Sequence, residues 1–282
     1  MIDNFEFLQS RIDELKKSCK YYVYGKSMLG QDLIGFHIGK YTNKQMLITG
    51  GIHAREYIST CLCLYLVQNL KIDVGCYILP MLNPDGIRLC LDGIKWIKDE
   101  QTKHMIKRIN KSQDFSLFKA NAYGVDLNEN FDAGFGEGKF IKFLPNSNGY
   151  FGEKPNSYEN KYLLNFVKKK KIAVSLSYHS KGEVVYYGFC KLNKKQLKLS
   201  KKLAKMVSKS LNYKKIRSKN SFAGFSDYMS YVKNIPSVTI ELGSDNYSHP
   251  IEFDKLDEIK KGQIDMIKNV AGVFCDANMW TT

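Results

Sequence analysis

Three short apolar runs, each stopping at a residue that can hold a metal or a proton, constrain this chain more than any other feature. Ile-Thr-Gly-Gly-Ile (48–52) stops at His53, Ile-Ala-Val-Ser-Leu-Ser-Tyr (172–178) delivers His179, and Ser-Val-Thr-Ile (237–240) delivers Glu241. Runs of this length read as buried strands, so the three polar residues are expected where strands end. Glu56 follows His53 by three residues, a spacing that lets an imidazole and a carboxylate meet one ion within a single turn of backbone. Two nitrogens and one carboxylate oxygen, from His53, Glu56 and His179, make the donor set of a catalytic zinc with a fourth position open. Glu241 is then free to act as a base.

Strand-like runs alternate with apparent helices at about 4–18, 57–70, 157–170, 195–211 and 255–274, the pattern of an α/β sheet. No Pro/Gly/Ser-rich linker divides the 282 residues, which suffice for one large core, so a single domain over 1–282 is expected. The N-terminal segment has acidic residues and no continuous apolar stretch, and no run reaches the length of a membrane span. A cytoplasmic location is the default, with release independent of a signal left open. Seven cysteines, an odd number lying mostly inside apolar runs, suit buried reduced thiols better than a disulfide framework. The net charge of +15 raises the question of nucleic acid. Its lysines fall on helix faces and loops with no nucleic-acid module around them, so a solvated face is expected and no nucleic-acid partner.

A lone His-x-x-Glu is a weak signal, and its neighbourhood decides its meaning. Asn83-Pro84-Asp85-Gly86, expected to turn, follows the run Cys-Tyr-Ile-Leu-Pro-Met-Leu (76–82). Gly124-Val125-Asp126-Leu127-Asn128 lies between the first pair and His179, and Gly25-Lys-Ser-Met-Leu-Gly-Gln-Asp-Leu33 links two short strand-like runs. In this order the segments resemble the zinc carboxypeptidases of the carboxypeptidase A type (M14), over nearly the whole chain from about Tyr22 to Cys275. The resemblance implies a mixed, mostly parallel sheet of about eight strands between helices. It also implies one Zn2+ per chain on His53, Glu56 and His179, with Glu241 as general base.

Two departures bear on specificity. In the ordinary carboxypeptidases the loop Asn is followed by an Arg that grips the terminal carboxylate, whereas this chain reads Asn128-Glu129-Asn130. A carboxylate there repels a terminal carboxylate and attracts an amine. A similar acidic replacement occurs in the bacterial γ-D-glutamyl-meso-diaminopimelate peptidases, which the chain resembles most. Glu129 is therefore expected to pair with the ammonium of diaminopimelate, while Asn128 and a nearby cation take carboxylates. The segment before Glu241 lacks the usual capping tyrosine, and Asp227 either reads a substrate cation or caps the following helix. Lys119 stands nearest to the position of the family's oxyanion arginine, although a lysine offers a point charge and no fork. Arg55, between the two ligands, is placed to touch substrate.

The expected function is a metallopeptidase that cuts peptidoglycan stem peptides between γ-D-Glu and meso-diaminopimelate. The alternative is a metallocarboxypeptidase that releases basic C-terminal residues. A non-catalytic binding protein on the same fold is disfavoured, since it has no need of the ligands together with Glu241. The partner is a peptide or muropeptide substrate, and the oligomeric state is left open.

Overall fold

Alternating apolar and amphipathic stretches become strands and helices in the computed structural model, which describes residues 4–138 and 142–275. The strands are β1 (Lys20–Lys26), β2 (Asp32–Ile38), β3 (Gln45–Thr49), β4 (Cys76–Leu79), β5 (Ile172–Ser180), β6 (Val184–Tyr187), β7 (Lys214–Arg217) and β8 (Ser237–Leu242). The helices are α1 (Phe5–Ser18), α2 (Tyr57–Asn69), α3 (Pro84–Asp92), α4 (Glu100–Asn110), α5 (Tyr158–Lys168), α6 (Lys194–Leu211), α7 (Phe225–Tyr231), α8 (Leu256–Ile259) and α9 (Gln263–Phe274). The strands form one sheet in the order β1-β2-β4-β3-β5-β8-β6-β7. The four central strands β4, β3, β5 and β8 run parallel, and antiparallel pairs flank them.

The core lies on both faces of this sheet. Met46 and Ile48 of β3 point into one apolar layer with α1, α2, α6 and α9, while Leu47 between them points into the other with α5 and α7. That alternation is the period of a strand covered on both sides. Because β3 pairs with β4 on one side and β5 on the other, the chain changes direction there, and a crevice opens at the carboxyl ends of the strands. His53 follows β3, and His179 and Glu241 sit in register at the ends of β5 and β8. Gly51, at φ +62, lets the chain turn off β3, and a Cβ there would lie 2.4 Å from Thr60 Oγ1.

Two helical expectations are corrected. Asn83-Pro84-Asp85-Gly86 is the start of α3: the Asn83 side chain accepts from Gly86 N, and Pro84 occupies the first helical position. The helix expected over 255–274 is interrupted, because Gly262 adopts a left-handed conformation (φ +73) between α8 and α9. On α6, Leu203, Ala204 and Val207 are buried and all seven lysines are exposed, the solvated face that the sequence suggests. All seven cysteines are free, and five are buried. Among the described residues no helix is long and apolar enough to cross a membrane.

Buried carboxyls clamp the β1–β2 connection. Asp85 accepts from Ser27 Oγ (2.7 Å) and Leu29 N (2.7 Å), and Glu159 accepts from Met28 N (3.3 Å) and Asn121 Nδ2 (3.1 Å). Burial pushes Asp85 up to about 7. A carboxyl whose pKa is higher folded than unfolded stabilises the fold below its unfolded value and loses that contribution as pH rises through its folded one. Asp85→Asn, which can donate to Ser27 Oγ and accept from Leu29 N, is therefore expected to remove part of the stability loss between about pH 4 and pH 7. Urea melts of both proteins across that range check it, and parallel curves would count against it.

Candidate metal centre and active site

The crevice gathers three potential ligands from two strand ends. His53 Nδ1 lies 2.8 Å from Glu56 Oε1, His179 Nδ1 lies 3.1 Å from Glu56 Oε2, and the two Nδ1 atoms are 3.3 Å apart. These atoms are close enough to hold one metal ion, and all three residues are buried. Local structure explains the approach: a 3-10 turn over Ala54–Glu56 begins at His53, so the His53 and Glu56 side chains fall on one side of it. Ser180 N donates to Glu56 Oε2 (3.2 Å) and ties that turn to β5.

Asp126 holds His53 from behind. Its Oδ1 lies 3.0 Å from His53 Nε2 and its Oδ2 accepts from Lys119 Nζ at 2.5 Å. Burial works against the Asp126 charge, yet Lys119 and His53 hold the carboxyl well below the usual carboxylate range. Burial also pulls the His53 imidazole down, but Glu56 and Asp126 outweigh it and bring it up to about 9. His179, where burial dominates, is pulled below the ordinary histidine value. A carboxylate on the far nitrogen is the contact that orients a metal-binding imidazole. The donor set thus fits zinc: two Nδ1 atoms and a carboxylate converge, and Asp126 leaves the His53 Nδ1 free to ligate. Asp126 was not singled out from the sequence, although it stands inside Gly124-Val125-Asp126-Leu127-Asn128. Asp126→Asn is expected to weaken zinc affinity about 10–100-fold, measured by competition with a chromophoric chelator.

Glu241 is partly buried, and burial together with the Glu56 charge pushes its carboxyl up to about 8. Lys119 lies near the metal group but is engaged by Asp126, and Asp126 raises its pKa against the pull of burial. Arg55 donates from Nη1 to Asn148 Oδ1 (3.1 Å) and Leu117 O (3.5 Å). Asn128 accepts from Phe225 N at Oδ1 (2.9 Å), leaving its amide NH2 available. Glu129 is exposed and has no ion pair among the described residues; partial desolvation and Asp126 push its carboxyl up. Asp227 accepts from Ser221 Oγ (2.6 Å) and Gly224 N (3.2 Å), both at Oδ2, which ties that oxygen to the start of α7. His249 is a residue that the sequence did not mark. Burial lowers its pKa, the charges of Glu56, Arg55 and Lys181 act on it, and its Nδ1 is buried without a hydrogen-bond partner among the described residues.

Other segments brace this geometry. Asn83 Nδ2 donates to Ile52 O (3.2 Å) and Ala120 O (2.9 Å), and Ala54 N donates to Lys119 O (2.9 Å). The residue before His53 is thereby fixed to the segment that carries Lys119. Asn121 Oδ1 accepts from Tyr123 N and Val125 N, and Asn160 Nδ2 donates to Leu127 O (2.9 Å), which holds the loop bearing Asp126 and Asn128.

A family model described as zinc carboxypeptidase matches residues 5–263. The chain belongs to the zinc carboxypeptidase family. Among curated relatives it is 29% identical over 254 residues to gamma-D-glutamyl-L-diamino acid endopeptidase 1 of Lysinibacillus sphaericus, an alignment covering 82% of this chain and 63% of that protein. It is 27% identical over 157 residues to carboxypeptidase A2 of Rattus norvegicus, covering 50% of this chain and 34% of that one. The chain thus spans less than two thirds of the length of either relative. Bovine thrombin-activatable fibrinolysis inhibitor, solved in complex with tick carboxypeptidase inhibitor, shares the fold at a TM-score of 0.71 and 20% identity, over 95% of this chain and 94% of that one. Murein-tripeptide amidase MpaA from Escherichia coli O157 does so at 0.58 and 19%, over 89% and 90%. This family member has, among its described residues, the mixed eight-stranded sheet that the resemblance implies.

Proposed function

We propose that this zinc carboxypeptidase family member is a metallopeptidase of peptidoglycan stem peptides, that it cuts the bond between γ-D-Glu and meso-diaminopimelate, and that residues 1–282 work as one catalytic unit. His53, Glu56 and His179 would hold one zinc, which supplies Lewis-acid activation of water and of the scissile carbonyl when bound. Glu241 takes a proton from the attacking water at its carboxylate and returns it to the departing amine. A carboxyl already pushed toward neutrality suits both transfers. Lys119 and Arg55 supply positive charge on the side where the carbonyl oxygen develops its own. For Lys119 this role requires sharing its ammonium with Asp126.

The observation that carries the substrate choice is Glu129, an exposed carboxylate with no ion pair among the described residues, beside an Asn128 amide with no described partner. It would take the ammonium of diaminopimelate, while Asn128 and a nearby cation take the carboxylates. The 29% identity to an endopeptidase named for γ-D-glutamyl-diamino acid bonds supports the same reading. In the alternative reading as a basic carboxypeptidase, Asp227 would have to read a substrate cation while its Oδ2 holds the start of α7.

Glu129→Arg is expected to lower kcat/KM on diaminopimelate stem peptides about ten- to a hundredfold, the worth of one charge-assisted contact, with a further loss from charge reversal. Mass analysis of products from defined muropeptides, from their lysine counterparts and from peptides with C-terminal Lys tests both specificity readings. Equal cutting of diaminopimelate and lysine stems would move the basic carboxypeptidase ahead. Unchanged rates in Glu129→Arg would remove Glu129 from the substrate site.

A further inference from the structure

A cavity of about 1220 Å3 lies apart from the metal centre, and neither the three metal-site residues nor Glu241, Asn128 or Glu129 lines it. Met28, Met105, Ile109, Leu144, Tyr123 and Tyr150 give it apolar and aromatic walls. Arg108, Lys111, Lys154 and Lys161 reach the same space, and none of the four has an ion pair among the described residues. Of the two acids on the wall, Glu100 is paired with Lys103 (2.6 Å), which leaves Glu153 alone against four cations. Two polar atoms of lining residues, Asn156 Oδ1 and Ser157 Oγ, are buried without a hydrogen-bond partner among the described residues. Ser157 begins α5, yet its hydroxyl caps nothing there.

We propose that this cavity binds a single-chain amphiphile with an anionic head. Its size exceeds the range of about 300–1,000 Å3 typical of small-molecule pockets, far more than a bare anion fills. The walls offer an apolar chain contacts that a free anion cannot use. The cations without ion pairs among the described residues oppose a cationic ligand and give a neutral head no charge-assisted bonds, whereas an anionic head can accept them. The proposal is independent of the peptidase's substrate, since the cavity shares no residue with Glu129 or the metal group.

Calorimetric titration of the zinc-loaded full chain with dodecyl phosphate below its micellar concentration tests this, beside inorganic phosphate and dodecyl maltoside. One equivalent of dodecyl phosphate is expected to bind, at least about tenfold more tightly than either control. The double variant Arg108→Ala/Lys161→Ala, both exposed positions, is expected to weaken dodecyl phosphate about ten- to a hundredfold and to leave dodecyl maltoside unchanged. Leu144→Asp, at a side chain 77% exposed and so tolerable to the fold, is expected to weaken dodecyl phosphate through like charge. Absence of binding, binding unchanged in both variants, or inorganic phosphate binding as tightly as dodecyl phosphate would each overturn the proposal.

Discussion

Glu241→Gln is expected to retain zinc and to lose on the order of 10²-fold or more in kcat on any peptide the enzyme cuts, because the amide keeps the shape of the side chain but cannot accept a proton. The substitution breaks no hydrogen bond among the described residues. Glu241 is held in place by its strand and destabilised as an anion by burial and by Glu56. Folding should therefore survive, and the metal-free variant should melt no lower than the parent at neutral pH. Zinc content by metal analysis, a melting curve and steady-state kinetics separate the outcomes. Near-parental kcat with zinc bound would show that another group is the base, whereas lost zinc would move Glu241 into the ligand set.

His179→Ala is expected to weaken zinc binding by well over the roughly 100-fold that loss of an outer-shell contact costs. A three-ligand site reduced to His53 and Glu56 loses one of its two nitrogens, and Glu56 Oε2 is left with Ser180 N as its remaining partner. His53 and Asp126 still hold each other in this variant, so half the site stays ordered and the effect reads on the metal. Chelator competition measures it, with far-UV circular dichroism to show that the sheet is intact. Zinc held at parental affinity by a folded His179→Ala would refute the ligand assignment.

The strand-and-helix order around the crevice was legible because local signals agreed with it. The helix over 195–211 has apolar residues at helical spacing, and the structure places α6 at Lys194–Leu211 with Leu203, Ala204 and Val207 buried. The start of α3 was hidden because Asn-Pro-Asp-Gly carries the signals of a turn and of a helix N-terminus alike. Gly262 likewise breaks the last helix through a left-handed conformation that a glycine permits but does not announce.

The sequence by itself determined which side chains end which strands, and therefore that His53, Glu56, His179 and Glu241 would meet: parallel strands of one sheet bring their carboxyl ends to one edge. It also determined that a carboxylate, Glu129, follows Asn128. Only the tertiary structure decided what stands behind those groups. Asp126 reaches His53 across 73 residues, Phe225 N reaches Asn128 across 97, and Asp85 and Glu159 meet the Ser27–Leu29 segment from 56 to 131 residues away. No local periodicity encodes such pairings, because each is chosen by the packing of segments that are neighbours only after the sheet has closed. The cavity walled by Met105, Leu144 and Tyr150 has the same origin: its lining comes from separate segments whose spacing in the chain says nothing of their spacing in the fold.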